Sequence, residues 1–293
     1  MHIIKLIPDI YDRITSNKKV SKDNLDALLE GIRDAVIKQM EEKRGDSGEK
    51  TLRMSSIGKP DRKIWMEIRG PKIKKSYSGA TLIKFLYGSI IEELVIFLAK
   101  EAGHKVDNLQ KKTKVNGIVG HIDCTIDDEV VDIKSASDFA FRKFTSRSIE
   151  YDDPFGYIGQ ISGYVEGEGK DIGYLLGLNK VTGEMCLVEI DELSLINAGQ
   201  RINDLKKIIS SDTMPDLCYV PVADGKSGNM KLNRDCGYCP YKWTCFPDMR
   251  VFKYGDGRRY FTNIDREPQV VEITNEVKDC LLYTSDAADE EDS

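Results

Sequence analysis

The sequence predicts an α/β protein, and three features point to this class. Two stretches rich in β-branched residues, 118–126 and 130–133, flank the polar pair Asp127 and Asp128, as expected for a β-hairpin. Long helical patterns lie on both sides of this hairpin. The chain of 293 residues, 40% of them hydrophobic, can bury the core of one large domain with additions or of two small domains.

Composition excludes membrane-spanning and secreted classes. No apolar run approaches the length of a membrane span, and the amino terminus has no signal-peptide cleavage site, so we expect a cytoplasmic protein. Residues 280–293 resemble the translation of a sequencing-library adapter and are left out of the fold prediction. They are acidic and hold no basic residue, so the rest of the chain is nearly neutral although the whole carries −6. Net charge therefore gives no support for nucleic-acid binding, and any electrostatic footprint must be local.

Two segments near the amino terminus have helical patterns. Residues 21–44 form an amphipathic stripe with Ser21 as a candidate N-cap, which predicts a packing helix. Residues 53–69 combine a turn with a short helix and are basic, and the positive charge continues at Lys72, Lys74 and Lys75. This basic cluster either contacts phosphate groups or is a solvated face.

Residues 78–102 predict a helix that is apolar nearly all round, and therefore buried, with Gly103 after its last turn. Glu92 and Glu93 lie in its middle. An unpaired buried carboxylate is costly, so at least one needs a cationic partner unless both reach solvent. Glu92 is the preferred candidate for a functional site.

The hairpin has a definite register if Asp127 and Asp128 form a two-residue loop. Ile126 then faces Glu129, Asp123 faces Asp132, and His121 faces Lys134. The period of two places these last four on one face, opposite a buried face made by a second set: Ile122, Cys124, Val131 and Ile133. Opposed carboxylates repel each other unless a cation lies between them, and Mg²⁺ or Mn²⁺ suits oxygen ligands with a lysine beside them. The alternative is a solvated face with ordinary surface charges.

The carboxy-terminal half adds two further candidate sites. A helix from residue 153 or 154 to 166 places Gln160 and Tyr164 on one face, followed by strands at 172–178 and 184–190 and a helix at 191–209. Three cysteines then occur within ten residues: Cys236, Cys239 and Cys245. In a reducing compartment they indicate a zinc or iron–sulfur site with one ligand missing, or inert thiols.

Together these motifs resemble the PD-(D/E)XK nucleases, in particular the RecB-like group that includes CRISPR-associated and phage exonucleases. The resemblance rests on four short segments in the family's order: 88–92, 120–123, 132–134 and 160–164. It implies a central mixed sheet flanked by helices, with Mg²⁺ or Mn²⁺ held by Glu92, Asp123, Asp132 and the backbone carbonyl of Ile133. It also implies that Lys134 orients or deprotonates the attacking water. Gln160 and Tyr164 would position the DNA strand.

The cysteines resemble that group's iron–sulfur segment, but this sequence departs from it near the start of the nuclease domain. Residues 58–63 contain no cysteine where the group has its fourth ligand. Cys218 can replace it, Asp61 can act as an oxygen ligand, or the three cysteines bind zinc or nothing.

The resemblance implies a metal-dependent DNA exonuclease that acts on single strands or DNA ends. Its setting would be repair, recombination or phage DNA processing in the cytoplasm of a bacterium or phage-infected cell. The alternative is a degenerate nucleic-acid-binding module with a structural metal. The expected organisation is a helical extension (1–50), a nuclease domain (51–250), a carboxy-terminal extension that is truncated (251–279) and the adapter segment (280–293).

Overall fold

A computed structural model describes residues 1–41, 50–71 and 78–273. The helices are α1 (Leu6–Thr15), α2 (Lys22–Glu41), α3 (Asp61–Ile68), α4 (Gly79–Glu101), α5 (Asp138–Thr145), α6 (Tyr157–Glu168), α7 (Ala198–Ser210), α8 (Arg234–Gly237) and α9 (Lys242–Cys245). The strands are β1 (Val106–Asp107), β2 (Lys112–Val115), β3 (Ile118–His121), β4 (Cys124–Ile126), β5 (Glu129–Ala136), β6 (Gly173–Asn179), β7 (Met185–Ile190), β8 (Val222–Ala223), β9 (Met230–Lys231), β10 (Arg250–Tyr254), β11 (Gly257–Asn263) and β12 (Glu272–Ile273). The predicted adapter segment and Lys72, Lys74 and Lys75 lie outside the described residues.

The protein is α/β, with a mixed central sheet in the order β1-β4-β5-β6-β7. β5 and β6 are parallel, and the other neighbours are antiparallel. A parallel pair needs a crossover connection, and α5 and α6 supply it between β5 and β6. β5 is therefore the central strand of a sheet that is covered on both faces.

Two apolar clusters cover the faces of this sheet. On one face Ile161 of α6 and Ile202 of α7 pack in the cluster that contains Val130 of β5. On the other face Leu6 of α1 and Val95 of α4 pack in the cluster that contains Val131. Because successive residues of a strand point to opposite faces, β5 contributes to both layers and is almost entirely buried.

The predicted apolar helix is only partly buried. Its bounds agree with the prediction, and Gly103 follows it with a φ of 90°, a left-handed conformation that suits glycine. Residues at its carboxy-terminal half, including Val95 and Ala99, reach the core, but Ile83 and Tyr87 are 52% and 51% exposed. α4 therefore meets the sheet with its second half, and its first half extends beyond it beside α2.

The prediction of one continuous strand over 118–126 is wrong, because the strand is interrupted at Ile122 and Asp123. β3 pairs with β2 in a separate two-stranded sheet, and β4 pairs with β5. His121 lies opposite Lys112 and is exposed, so it does not face Lys134. The break also moves the side chain of Ile122 into the Val130 cluster, away from Cys124.

The carboxy-terminal part of the described chain forms a second sheet of five short antiparallel strands, β12-β10-β11-β9-β8. The two single-turn helices α8 and α9 lie between β9 and β10; they carry Cys236 and Cys245, and Cys239 lies in the link between them. The two strands predicted after α6 are β6 and β7, and the predicted helix at 191–209 begins later, at Ala198, where Asn197 caps it. Across 1–41, 50–71 and 78–273, not one helix combines the length and apolar composition needed to cross a bilayer.

Candidate functional site

The turn of the β4–β5 hairpin has the predicted geometry. Asp127 and Asp128 have φ values of 51° and 71°, as a two-residue turn with positive φ at both positions requires. Ile126 pairs with Glu129 and Cys124 with Val131, so the register is the predicted one as far as the end of β4. Asp132 and Lys134 consequently lie on one face of β5.

Asp132 and Lys134 form a buried ion pair. Their side chains are almost inaccessible, and Lys134 Nζ lies 2.9 Å from Asp132 Oδ2. Burial lowers the pKa of Lys134, but attraction to Asp132 and Asp123 outweighs burial and the net shift is upward. Burial raises the pKa of Asp132 despite the lysine. Within the described residues neither oxygen of Asp132 has a hydrogen bond of regular geometry, so the contact of Oδ2 with Lys134 is an ion pair and Oδ1 is unpartnered, which is unusual for a buried carboxylate.

Asp123 lies directly before β4, and its side chain is bonded to the backbone of β5. Its Oδ2 accepts a hydrogen bond from the backbone N–H of Ile133 at 2.7 Å. Burial raises its pKa well above the usual range for an aspartate, and repulsion from Asp132 and Glu92 raises it further. The predicted neighbourhood of Asp123 and Asp132 is therefore present, although Asp123 reaches it through a break in the strand.

Glu92 of α4 completes a group of three carboxyl side chains. Its pKa is raised, mainly by burial and also by Glu93 and Asp132. Its Oε1 accepts a hydrogen bond of 2.7 Å from Gln110 Nε2. Glu93 points elsewhere: a Cβ atom placed on Gly31 of α2 would lie 2.2 Å from its Oε2. Of the two candidate glutamates in the middle of the helix, Glu92 is the one that interacts with the aspartates.

Gln160 and Tyr164 share one face of α6, as predicted, and both side chains are buried beneath the site. Gln160 Oε1 lies 3.4 Å from Lys134 Nζ, and Gln160 Nε2 donates a hydrogen bond to the Tyr164 hydroxyl at 2.9 Å. The two residues are 7% and 4% exposed. Gln160 therefore contacts Lys134 directly and Tyr164 is linked to it through Gln160, whereas their role in positioning a DNA strand stays a prediction.

Two residues that contact this group of side chains, Tyr157 at Lys134 and Gly120 at Tyr164, were given no role by the sequence. The ring of Tyr157 lies 4.9 Å from Lys134 Nζ, in a cation–π contact. Tyr157 precedes Gln160 by three positions, so helical spacing from the predicted pair is a signal that could have found it. Gly120 is the other: a Cβ atom there would lie 2.6 Å from a Tyr164 ring carbon, so the glycine lets β3 approach α6.

The donor set fits a hard cation. Three desolvated carboxyl groups face one lysine, and oxygen ligands of this kind suit Mg²⁺ or Mn²⁺. Within the part of the chain that the structure describes, however, no three His, Cys, Asp or Glu side chains already stand at the mutual spacing of ligands to one metal ion. The contact of Asp132 with Lys134 is one reason, since it turns that carboxylate toward the ammonium group.

Two arginines of the basic cluster before α4, both on or next to α3, make contacts within the protein. Arg62 donates hydrogen bonds to Cys245 Sγ at 3.2 Å and to the carbonyl of Pro215 at 2.6 Å. Arg69 pairs with Asp212. These contacts tie α3 to the carboxy-terminal part of the chain.

Four cysteines line one cavity of about 50 Å³: Cys218, Cys236, Cys239 and Cys245. Burial, followed by the neighbouring thiols, raises the pKa of Cys236 to about 12. Burial also raises the pKa values of Cys218 and Cys239. Asp61, the other candidate for a fourth ligand, instead pairs with Arg201 at 2.6 Å. The structure therefore places Cys218 with the predicted three.

Comparisons with known proteins add little to this geometry. No protein-family model matches the sequence, and no curated protein matches it. The chain is similar to the solved structure of an alkaline exonuclease (LHK-Exo) from Laribacter hongkongensis, with 14% identity and a TM-score of 0.29. That match covers 38% of this chain and 56% of the exonuclease, so the chain spans about half of that protein.

Two further structures were matched. LHK-Exo in complex with dAMP has 13% identity and a TM-score of 0.32, over 51% of this chain and 74% of the other. The protein SSO0001 has 14% identity and a TM-score of 0.38, over 77% of this chain and 96% of the other. Scores this low carry no argument about topology or chemistry. The functional proposal therefore rests on the geometry of the site.

Proposed function

We propose that this protein is a metal-dependent deoxyribonuclease of the PD-(D/E)XK class, acting as an exonuclease on single-stranded DNA or DNA ends. One observation carries the proposal: Asp132 and Lys134 form a buried ion pair on the central strand, Asp123 is bonded to the backbone N–H of Ile133 between them, and Glu92 lies close enough to repel both aspartates. A purely structural cation would gain nothing from the lysine. Its biological setting is proposed as repair, recombination or phage DNA processing in the cytoplasm.

In this proposal Glu92, Asp123 and Asp132 hold Mg²⁺ or Mn²⁺, together with the backbone carbonyl of Ile133. The ion would lower the pKa of a bound water and offset the charge that builds on the scissile phosphate. The side chain of Asp132 is inaccessible to solvent and those of Glu92 and Asp123 are partly buried, which strengthens their attraction to a cation. The unpartnered Oδ1 of Asp132 is available as a ligand atom without losing an existing hydrogen bond.

Lys134 would orient the attacking water or a phosphate oxygen. Its ammonium group is fixed from three sides, by Asp132 Oδ2 at 2.9 Å, by Gln160 Oε1 at 3.4 Å and by the Tyr157 ring at 4.9 Å. The raised pKa keeps it protonated in the metal-free protein, so it can donate a hydrogen bond but cannot accept a proton there. Acting as a base would require a cation to draw Asp123 and Asp132 away from it.

The activity is tested with DNA labelled at either end, in Mg²⁺, in Mn²⁺ and in EDTA. The expected result is metal-dependent release of nucleotides from linear DNA and none from single-stranded circles. Asp123→Asn, which keeps the acceptor for Ile133 N–H, should reduce the rate by a factor on the order of 100 or more. A matched control is Lys105→Gln, which changes a lysine that is 61% exposed directly before β1 and pairs with Asp128 at the tip of the hairpin.

Cleavage that is unchanged in folded Asp123→Asn, or that persists in EDTA, would refute the proposal. DNA binding without cleavage by the parent protein in both metals would favour the alternative, a nucleic-acid-binding module with a structural cation. Cleavage of circles would replace the exonuclease mode with an endonuclease mode.

We also propose that Cys218, Cys236, Cys239 and Cys245 hold a zinc ion or an iron–sulfur cluster. Four thiolates are the usual complement for either group, and Arg62 beside Cys245 Sγ offsets part of their negative charge. Metal analysis and the absorption spectrum of anaerobically purified protein distinguish the two groups. Cys218→Ser should reduce the bound metal, whereas Cys186→Ser, at a cysteine outside the cavity, should not. Full metal content in Cys218→Ser would remove Cys218 from the ligand set.

A further inference from the structure

The turn between β1 and β2 touches two of the three carboxylate-bearing segments. It runs through residues 108–111, and Asn108 and Gln110 have φ values of 54° and 49°. L-residues other than glycine adopt this left-handed conformation rarely and at a cost. An unfavourable conformation at Gln110 persists only if the surrounding contacts hold it.

Two hydrogen bonds of Gln110 lead to the candidate site. Its side-chain Nε2 donates to Glu92 Oε1 at 2.7 Å, and its backbone N–H donates to the carbonyl of Asp123 at 3.0 Å. Gln110 therefore contacts both α4 and the interruption between β3 and β4, where Asp123 lies. The positive φ is what lets the backbone and side-chain donors of one residue face these two acceptors.

Neighbouring bonds hold the turn against the same break. The backbone N–H of Ile122 donates to the carbonyl of Lys111 at 3.0 Å. Asn108 Nδ2 donates to the Thr125 hydroxyl at 3.1 Å. These contacts explain why 118–126 is not one strand: the turn takes the backbone groups of Ile122 and Asp123 that a continuous ladder with β5 would use.

We infer that Gln110 is a positioning residue, which directs Glu92 toward Asp123 and Asp132 so that the three carboxylates can bind one divalent cation. This inference rests on the proposed function. An amide suits the role because it fixes one oxygen of Glu92 without adding a positive charge that would compete with the cation. Partners of this kind orient metal-binding carboxylates, and their loss typically weakens metal binding by about 10–100-fold.

The alternative is an ordinary surface hydrogen bond, since Gln110 is exposed. Loss of such a bond would change neither the affinity for a cation nor the kcat of DNA cleavage. The two explanations therefore differ in metal affinity, which is measurable without DNA.

The test uses Gln110→Gly in the full chain. Glycine accepts a φ of 49° without strain, so the variant loses the amide but keeps the turn. Gln110→Ala loses the amide and keeps the strain. Leu109→Ala is the matched control, because Leu109 is 46% exposed in the same turn and has no role in the inference.

The primary measurement is the dissociation constant for Mn²⁺ alone, by titration of chelator-treated protein, with thermal unfolding of the metal-free protein beside it. We expect Mn²⁺ binding about 10–100-fold weaker in both Gln110 variants and unchanged in Leu109→Ala. The melting temperature of Gln110→Gly should equal or exceed that of the parent. In DNA cleavage, the loss should appear in kcat and be relieved by raising the Mn²⁺ concentration.

Two failures are distinguishable. If the parent binds no Mn²⁺, the proposed function and this inference fall together. If the parent binds Mn²⁺ and folded Gln110→Gly binds it within twofold as tightly, the metal site stands and the role of Gln110 is refuted.

Discussion

Removing the buried lysine should destabilise the metal-free protein strongly. In Lys134→Met, Asp132 keeps a side chain with no accessible surface and loses the cation 2.9 Å away. Asp123 and Glu92 remain near it, so the variant holds three carboxyl groups without a counter-charge. Breaking a buried ion pair by removing one partner costs about 3–5 kcal/mol. For a protein of this size each kcal/mol corresponds to about 2–4 °C, so the melting temperature should fall by about 6–20 °C.

A double-mutant cycle isolates the ion pair from the loss of packing. Lys134→Met combined with Asp132→Asn removes both charges and retains similar volumes, so it should recover most of the lost stability. We expect a coupling energy of about 3 kcal/mol, whereas Lys105→Met with Asp128→Asn, an exposed pair between the residue before β1 and the hairpin turn, should give about 0–1 kcal/mol.

The assay is urea unfolding in EDTA, followed by far-UV circular dichroism at neutral pH. A coupling energy below about 1 kcal/mol would refute the burial argument, because the pair would then behave like an exposed one. The same data show whether a nuclease assay of a Lys134 variant is made on folded protein.

Four further outcomes follow from the same contacts. Asp123→Asn should raise the stability of the metal-free protein by about 1–2 kcal/mol in urea unfolding, because it removes a buried charge and keeps the acceptor for Ile133 N–H; equal or lower stability would contradict this. Burial raises the pKa values of Asp123 and Glu92, so the folded state binds protons more tightly; metal-free stability should therefore fall as pH rises from about 4 through the raised pKa values. Since Mn²⁺ competes with these protons, the rise in melting temperature that it causes should grow over the same pH interval, and calorimetry with and without Mn²⁺ checks both trends. Gly159→Ala should cost about 1–3 kcal/mol in thermal unfolding, since its Cβ would lie 2.4 Å from Gly58 Cα.

Hairpin register and helical spacing, which are local rules, correctly predicted the tip of the hairpin and one face of α6. A two-residue loop admits few registers, and the period of two then places Asp132 and Lys134 on one face of β5, as the structure has them. Helical spacing likewise brings Gln160 and Tyr164 into contact, and the structure joins them by a hydrogen bond.

Local rules failed where a distant segment competes for the same backbone. The partner of β3 is β2, so the alternation predicted beyond Asp123 does not continue to His121. The burial of Gln160 and Tyr164 on α6, and the contact of Gln160 with Lys134, were not predicted either. Neither result is visible in the spacing of residues, because each depends on which segment packs alongside.

The sequence by itself determined the strand that carries Asp132 and Lys134, since a short loop and a strict period leave little freedom. Only the tertiary structure decided what gathers around that strand. Glu92 arrives on α4, Gln110 comes from a turn in an unfavourable conformation, and Cys218 joins the three later cysteines across a cavity. These contacts depend on long-range packing, which the spacing of residues along the chain does not reveal.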